Sequence, residues 1–308
     1  MSTSLKQLRW AAYDTEWSKD ADVPSAYSAF APAIEAYKGL LYCLHQDTAN
    51  NTGLWWNIYD KETGQWRGEA GAYDPNGKRL RTYGAPAVTH ANDYLYCVNH
   101  VSNADPGLWW SRYNTEVSGT RWSEQKLVVD PDGRDVRTAV SPAVTVYDGL
   151  LYCVHEKTGR LHWLTHDTAR QAWSSDEPVP GDVPVTRAPA VDRFKDLLHC
   201  VHDRGGDELY WITYDSKTQQ WSDDRLMVDE DGKPVLTPYA PAVARYNDYL
   251  YCVYCTDEAS EFGSGLWWTR RYDVGGPWSR PQRIPYVVSS PGADITAYHG
   301  PLYCVHRG

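Results

Sequence analysis

LYCVH, residues 151–155, decides the fold, because near copies of it recur along the chain. They are LYCLH at 41–45, LYCVN at 95–99, LHCVH at 198–202, LYCVY at 250–254 and LYCVH again at 302–306. Taking the shared cysteine as a marker, Cys43, Cys97, Cys153, Cys200, Cys252 and Cys304 are separated by 54, 56, 47, 52 and 52 residues. A period of about 40 to 50 residues suits one four-stranded propeller blade.

Around each copy the same signals return in the same order. Pro-Ala-Val or a variant (Pro32, Pro86, Pro142, Pro189, Pro241) opens an alternating segment, strand A, and the LYCVH run follows as strand B. After a polar loop comes a Leu-x-Trp segment ending near Tyr-Asp, as in GLWWNIYD, ELYWITYD or GLWWTRRYD, which reads as strand C. A turn then leads to a second tryptophan, usually followed by serine, which reads as strand D. Aromatic and β-branched residues with Gly, Asp and Asn at the joints are the chemistry of short antiparallel strands, and no stretch sustains a 3.6-residue period. The expected fold is all-β, a six-bladed β-propeller of four-stranded antiparallel blades.

The last copy supplies only strands A and B, while LRWAAYDTEW at 8–17 matches the C and D signals with no A and B before it. Counted through both ends, Cys304 to Cys43 is 47 residues, inside the internal range. The ring is therefore expected to close in one split blade, about 1–25 with 292–308, within a single domain spanning 1–308. Closure of this kind removes the unpaired edges that an open stack of sheets would expose.

Twelve of the 15 tryptophans fall at two fixed places per blade. Trp10, Trp56, Trp110, Trp163, Trp211 and Trp268 lie on strand C, and Trp17, Trp66, Trp122, Trp173, Trp221 and Trp278 on strand D. These are expected to be core residues. Six of the seven cysteines share one position on neighbouring blades, about 10 Å apart, too far for a disulfide. They read as small buried residues, and Cys255, outside the pattern, as the more accessible thiol.

Net charge is −10 with no dense basic run, which argues against a nucleic-acid partner. No apolar stretch approaches the roughly 20 residues of a membrane span, and MSTSLKQLRW lacks the apolar core of a secretory signal. The expectation is a protein without membrane insertion, cytoplasmic or exported without a classical signal peptide.

Three sets of positions keep the repeat in outline but carry polar or aromatic side chains that folding alone does not require. Two residues after the cysteine stand His45, Asn99, His155, His202, Tyr254 and His306. Before each strand C tryptophan stand Arg9, Trp55, Trp109, His162, Tyr210 and Trp267. Strands B and C are hairpin partners, so each blade should bring one member of each set together at one edge. An aromatic ring beside a hydrogen-bonding ring can grip a pyranose, which offers an apolar C–H face and directional hydroxyls. Arg81, Arg137 and Arg187 lie near enough in sequence to add charged donors. The competing reading is that the histidines satisfy backbone groups between blades and the extra tryptophans pack under loops.

The third set, on strand A, differs from blade to blade: Glu35, Thr89, His90, Thr145, Asp192, Arg193, Ala244 and Arg245, with Asp294 in the split blade. One catalytic pocket on the axis, or a solvated tunnel, would look like this. A metal ring of the repeated histidines is not expected, since their positions diverge from the axis. No cofactor is expected either.

The blade signals in ELYWITYDSKTQQWS at 208–222 resemble those of the six-bladed fungal fucose-binding lectins and the related bacterial propeller lectins. That resemblance implies sugar bound between adjacent blades through an arginine, an acidic residue and an aromatic. The aromatic matches Trp55, Trp109, Tyr210 and Trp267; the arginine and the acid have no matched positions, so fucose specificity is not implied. DKETGQW at 60–66 departs from the Ser-x-Asp-x-Gly-x-x-Trp signal of six-bladed sialidases. The leading expectation is a lectin-like carbohydrate-binding protein, its partner a glycan or small molecule. The alternatives are an enzyme with one axial pocket, a hydrolase or cyclase, and a protein-interaction scaffold. The fold itself does not choose among them.

Overall fold

The structure, a computed structural model, describes residues 5–47, 52–102, 106–116, 122–257, 260, 263–285, 287 and 292–308. It is all-β, six small antiparallel sheets arranged as a six-bladed propeller. Blade one comprises Ala33–Tyr37, Leu40–Gln46, Leu54–Asp60 and Gln65–Gly71, from inner to outer strand; the next four blades repeat this order. In the sixth, Ala293–Ala297 and Leu302–Arg307 pair with Lys6–Tyr13 and then Ala21–Ser28. Among the described residues no helix is long and apolar enough to cross a membrane.

The inner strands touch their neighbours all the way round, Ala293–Ala297 meeting both Ala242–Tyr246 and Ala33–Tyr37. Tight A-to-B turns set this register. In five blades two residues separate the strands, and the first of them (Lys38, Asn92, Asp148, Lys195, Asn247) has positive φ, the geometry that matches the twist of a two-residue hairpin. Strand B does not alternate: its residues are buried on both faces because a blade packs on either side.

There is accordingly no single core. Six apolar clusters each span one blade interface, for example Tyr42, Leu44 and Leu54 of blade one with Leu95, Cys97 and Trp122 beyond it. The cluster that joins blade six to blade one contains Leu8, Val23, Cys43 and Val305. All seven cysteines are unbridged and buried, including Cys255, which corrects the expectation that it is accessible.

The Trp-Ser signal has a specific cause. Beyond strand C the outer chain pairs briefly at the tryptophan, as in His166 opposite Trp173 and Tyr214 opposite Trp221, then leaves the ladder. The serine bridges that gap. Its Oγ accepts the backbone N–H of a strand C residue in five blades: Ser18 from Ala12, Ser123 from Arg112, Ser174 from Thr165, Ser222 from Thr213 and Ser279 from Arg270. Blade one has Arg67 in place of the serine, and there the outer strand runs on to Gly71.

Candidate functional site

The two repeated sets meet as the hairpin geometry requires. His45 lies opposite Trp55, Asn99 opposite Trp109, His155 opposite His162, His202 opposite Tyr210, Tyr254 opposite Trp267 and His306 opposite Arg9. The strand B members are not open to a ligand, however. His45, His155, His202 and His306 are each 0% exposed, and Asn99 and Tyr254 are buried too. This corrects the expectation of a hydrogen-bonding edge facing solvent.

What the histidines do is fasten each blade to itself. In all four, Nδ1 contacts the carbonyl of the next residue, at 2.8 to 3.3 Å. Nε2 meets an acid from the outer part of the same blade: Glu69 at 3.3 Å, Asp176 at 3.1 Å, Asp224 at 3.2 Å and Asp20 at 3.0 Å. Asp176 also takes His162 at 3.2 Å and Lys157 at 2.7 Å. Burial opposes its ionisation, but these hydrogen bonds, led by His155 and His162, hold its carboxyl well below the usual range. At His45 the balance differs. Burial pushes Glu69 up to about 7 and the imidazole down.

The strand C partners are half-buried and mostly engaged. Arg9 pairs with Asp20 at 2.6 Å and Asp22 at 3.1 Å. The Arg79 guanidinium covers Trp55 at 4.0 Å from the ring centroid, and Arg204 stands 5.2 Å from the Tyr210 ring. Trp267 packs against the cluster between blades four and five. Of the outer arginines, Arg81 donates to Thr52 and Arg187 to Gly206 and Asp207, while Arg137 lies 3.5 Å from Asp135.

A different aromatic set dominates the spaces between blades. The tyrosine of LYC stacks on the strand C tryptophan of its own blade, and the next blade adds the residue near the end of its strand C and its strand D tryptophan. Between blades three and four these are Tyr152, Trp163, Tyr214 and Trp221; Tyr152 and Trp163 are 5.9 Å apart and within 5° of parallel, and Trp163 lies 4.9 Å from Tyr214 and 5.6 Å from Trp221. The quartet returns as Tyr42, Trp56, Tyr113 and Trp122, and as Tyr303, Trp10, Tyr59 and Trp66. Each such ring buries about 200 Å², on the order of 5 kcal/mol of gross transfer free energy.

Between blades three and four the quartet is not sealed. A cleft of about 400 Å³ opens over Tyr152, Trp163 and Tyr214, with Asp148, Thr165, Ser174, Ser175, Glu177, Ser216 and Gln219 around it. The sequence reading placed the binding aromatics one residue earlier on strand C and missed this set. The signal was present: a tyrosine repeated before the cysteine and opposite strand C implies a stacked pair.

On the axis lies a cavity of about 880 Å³ lined by the inner strands, Glu35, His90, Asp192, Arg193, Arg245 and Asp294 among them. Its acids bridge blades. Glu35 meets His90 Nδ1 at 2.5 Å; Asp192 accepts the backbone N–H groups of Arg193 at 2.7 Å and Arg245 at 2.6 Å; Asp294 accepts those of Ile295 at 2.9 Å and Ile34 at 2.8 Å. Burial raises all three carboxyls, Asp294 to about 7. Among the described residues no group of three or more His, Cys, Asp and Glu is arranged to hold a metal.

No protein-family model matches the chain, and no curated protein matches it in sequence. Solved structures do. The Hadza microbial sialidase Hz136 matches at TM-score 0.61 with 12% identity, covering 96% of this chain and 68% of that one. AofleA from Arthrobotrys oligospora, a fungal lectin, matches at 0.59 with 12% identity, over 97% and 82%. The Trypanosoma rangeli sialidase in complex with sialic acid matches at 0.58 with 8% identity, over 96% and 57%. At these identities the likeness establishes the six-bladed fold, shared by sialidases and a lectin alike, and does not single out the fucose-binding type.

Proposed function

We propose that the protein binds carbohydrate in clefts between neighbouring blades, and that the cleft between blades three and four is such a site. The observation that carries this reading is the half-buried Trp163 ring, backed by the buried rings of Tyr152 and Tyr214, under a polar rim in a space of about 400 Å³. A pyranose stacks its C–H face on such rings while its hydroxyls meet fixed donors and acceptors. Glu177 supplies a carboxylate, Ser174, Ser216 and Thr165 hydroxyls, and Gln219 an amide. The rings are held by the fold itself, so little side-chain entropy is lost on binding.

The axial alternative, a catalytic pocket, has less support. Both oxygens of Asp192 and of Asp294 accept main-chain amides, which fixes these carboxyls as staples between blades and leaves each fewer lone pairs to offer a substrate.

The test is a glycan array followed by calorimetry on the sugar it selects. Glu177→Gln and Gln219→Ala, both at the rim, should each weaken binding about tenfold or more with no change in thermal stability. Wild-type affinity in both variants would remove the cleft from consideration.

A further inference from the structure

The inner strands carry one level at which the side chains sort by blade. His90, Arg193 and Arg245 each stand opposite a strand B leucine, Leu95, Leu198 and Leu250, and so share a register position. At the same position blades one, three and six carry Ala36, Val146 and Ala297. Three basic groups therefore face a wall of small or apolar residues across the axial cavity.

Acids of the inner strands set each basic group in place, Asp192 through the backbone of the two arginines and Glu35 through a direct pair with His90. One carboxylate, Asp192, accepts the backbone N–H groups of Arg193 in its own blade and Arg245 in the next, which fixes the two arginine stems side by side. Glu35 of blade one takes His90 Nδ1, which turns Nε2 away from it. Both arginines are exposed, as is His90, and among the described residues neither guanidinium has a carboxylate within 4.0 Å.

We propose that this end of the axial cavity is a single-copy site for a sugar carrying an oxyanion, a carboxylate or a phosphate, distinct from the interblade clefts. Two guanidinium forks and an imidazole N–H match such a group, which accepts paired hydrogen bonds from arginine. The cavity, about 880 Å³, has room for a monosaccharide or disaccharide beneath the anion, with Thr89 and Thr145 on its wall.

The experiment is calorimetry on the full chain at low ionic strength with glucuronate, glucose 6-phosphate and glucose as probes. One anionic sugar should bind with one-to-one stoichiometry and glucose at least tenfold more weakly; whichever anion binds tighter identifies carboxylate or phosphate as the preferred group. The double variant Arg193→Gln/Arg245→Gln should lose at least tenfold in affinity for that anion, while the charge-neutral Gln219→Ala at the interblade cleft leaves it unchanged. Equal affinity for glucose and both anions, an unchanged double variant, or no heat from either anion at millimolar concentration would each overturn the proposal. Loss of anion binding in Gln219→Ala with the double variant unaffected would move the anion to the cleft and overturn it too.

Discussion

Trp10 lies opposite Val305 in antiparallel register, and its ring stacks on Tyr303 at 5.9 Å. The strand that closes the ring thus repeats the internal pairing of Trp268 with Val253 and its stacking on Tyr251 at 5.6 Å. If the seam is a blade like the others, Trp10→Ala and Trp268→Ala should cost similar stability, about 3 to 5 kcal/mol each. Denaturant unfolding of both variants measures this. A Trp10 variant that unfolds like the parent would mean the seam contributes nothing to closure.

The buried latch of blade three allows a sharper test. Asp176 collects His155, His162 and Lys157, and an amide there keeps one acceptor oxygen but loses the charge and sets an N–H donor against the remaining donors. Asp176→Asn should destabilise by about 3 kcal/mol, the cost of breaking a buried pair from one side. Because hydrogen bonds hold the folded carboxyl below its unfolded value, the wild-type advantage is present above about pH 4 and fades as pH falls through the folded pKa. The difference between wild type and variant should therefore be smaller at pH 2.5 than at pH 7, which urea titrations at the two pH values will check.

What the sequence made legible follows from periodicity. Blade number, strand order and the split blade come from spacing alone, because the Pro-Ala-Val, LYCVH and Leu-x-Trp signals each mark a strand that the ladder must pair. Pairing of His45 with Trp55, or Tyr254 with Trp267, was equally legible as a consequence of the hairpin. Burial was not. Whether His155 faces solvent or an acid depends on Asp176, 21 residues away on a short outer segment; the signal was a Trp-x-x-acid repeat, Trp17 with Asp20, Trp66 with Glu69, Trp173 with Asp176 and Trp221 with Asp224, which the sequence reading did not use. The open cleft beside Trp163 depends likewise on small rim residues, Ser174, Ser175 and Ser216, whose identity says nothing until two blades are placed side by side.

Asp294 makes a titration prediction of the opposite sign to that of Asp176. Burial lifts its folded pKa to about 7, from an unfolded value near 4, so the folded state holds the proton longer. Stability from this group is present below about pH 4 and declines as pH rises through about 7, with a slope of at most about 1.4 kcal/mol per pH unit. Asp294→Asn cannot ionise, and the difference in unfolding free energy between variant and wild type should shift in the variant's favour between pH 4.5 and pH 7.5. A constant difference across that interval would show that the carboxyl does not titrate there.

One interblade quartet departs from the aromatic pattern, and the departure sets up a repair. Between blades four and five, His199 and Arg271 stand where other interfaces carry tyrosine, or in one case His166, with Trp211 and Trp278 completing the set. Arg271 is 1% exposed; it gives Nη2 to His199 Nδ1 at 2.6 Å, and among the described residues its Nε and Nη1 have no hydrogen-bond partner. Burial brings the guanidinium down to about 9 and the imidazole to about 3. The Trp211 face, 3.9 Å from the guanidinium, offsets part of the desolvation cost through a cation–π contact of about 2 kcal/mol, less than a buried ion loses. The double replacement His199→Tyr/Arg271→Tyr recreates the quartet of Tyr152, Trp163, Tyr214 and Trp221 at this interface. It should stabilise the protein by about 1 to 4 kcal/mol, as replacing buried charge with packed apolar groups does elsewhere. Arg271→Tyr alone should gain less, because His199 keeps its bond to the Phe194 carbonyl but loses its partner at Nδ1. Thermal and denaturant unfolding of the two variants decides it: a double variant less stable than the parent would mean that the arginine is better solvated by its aromatic neighbours than these magnitudes allow.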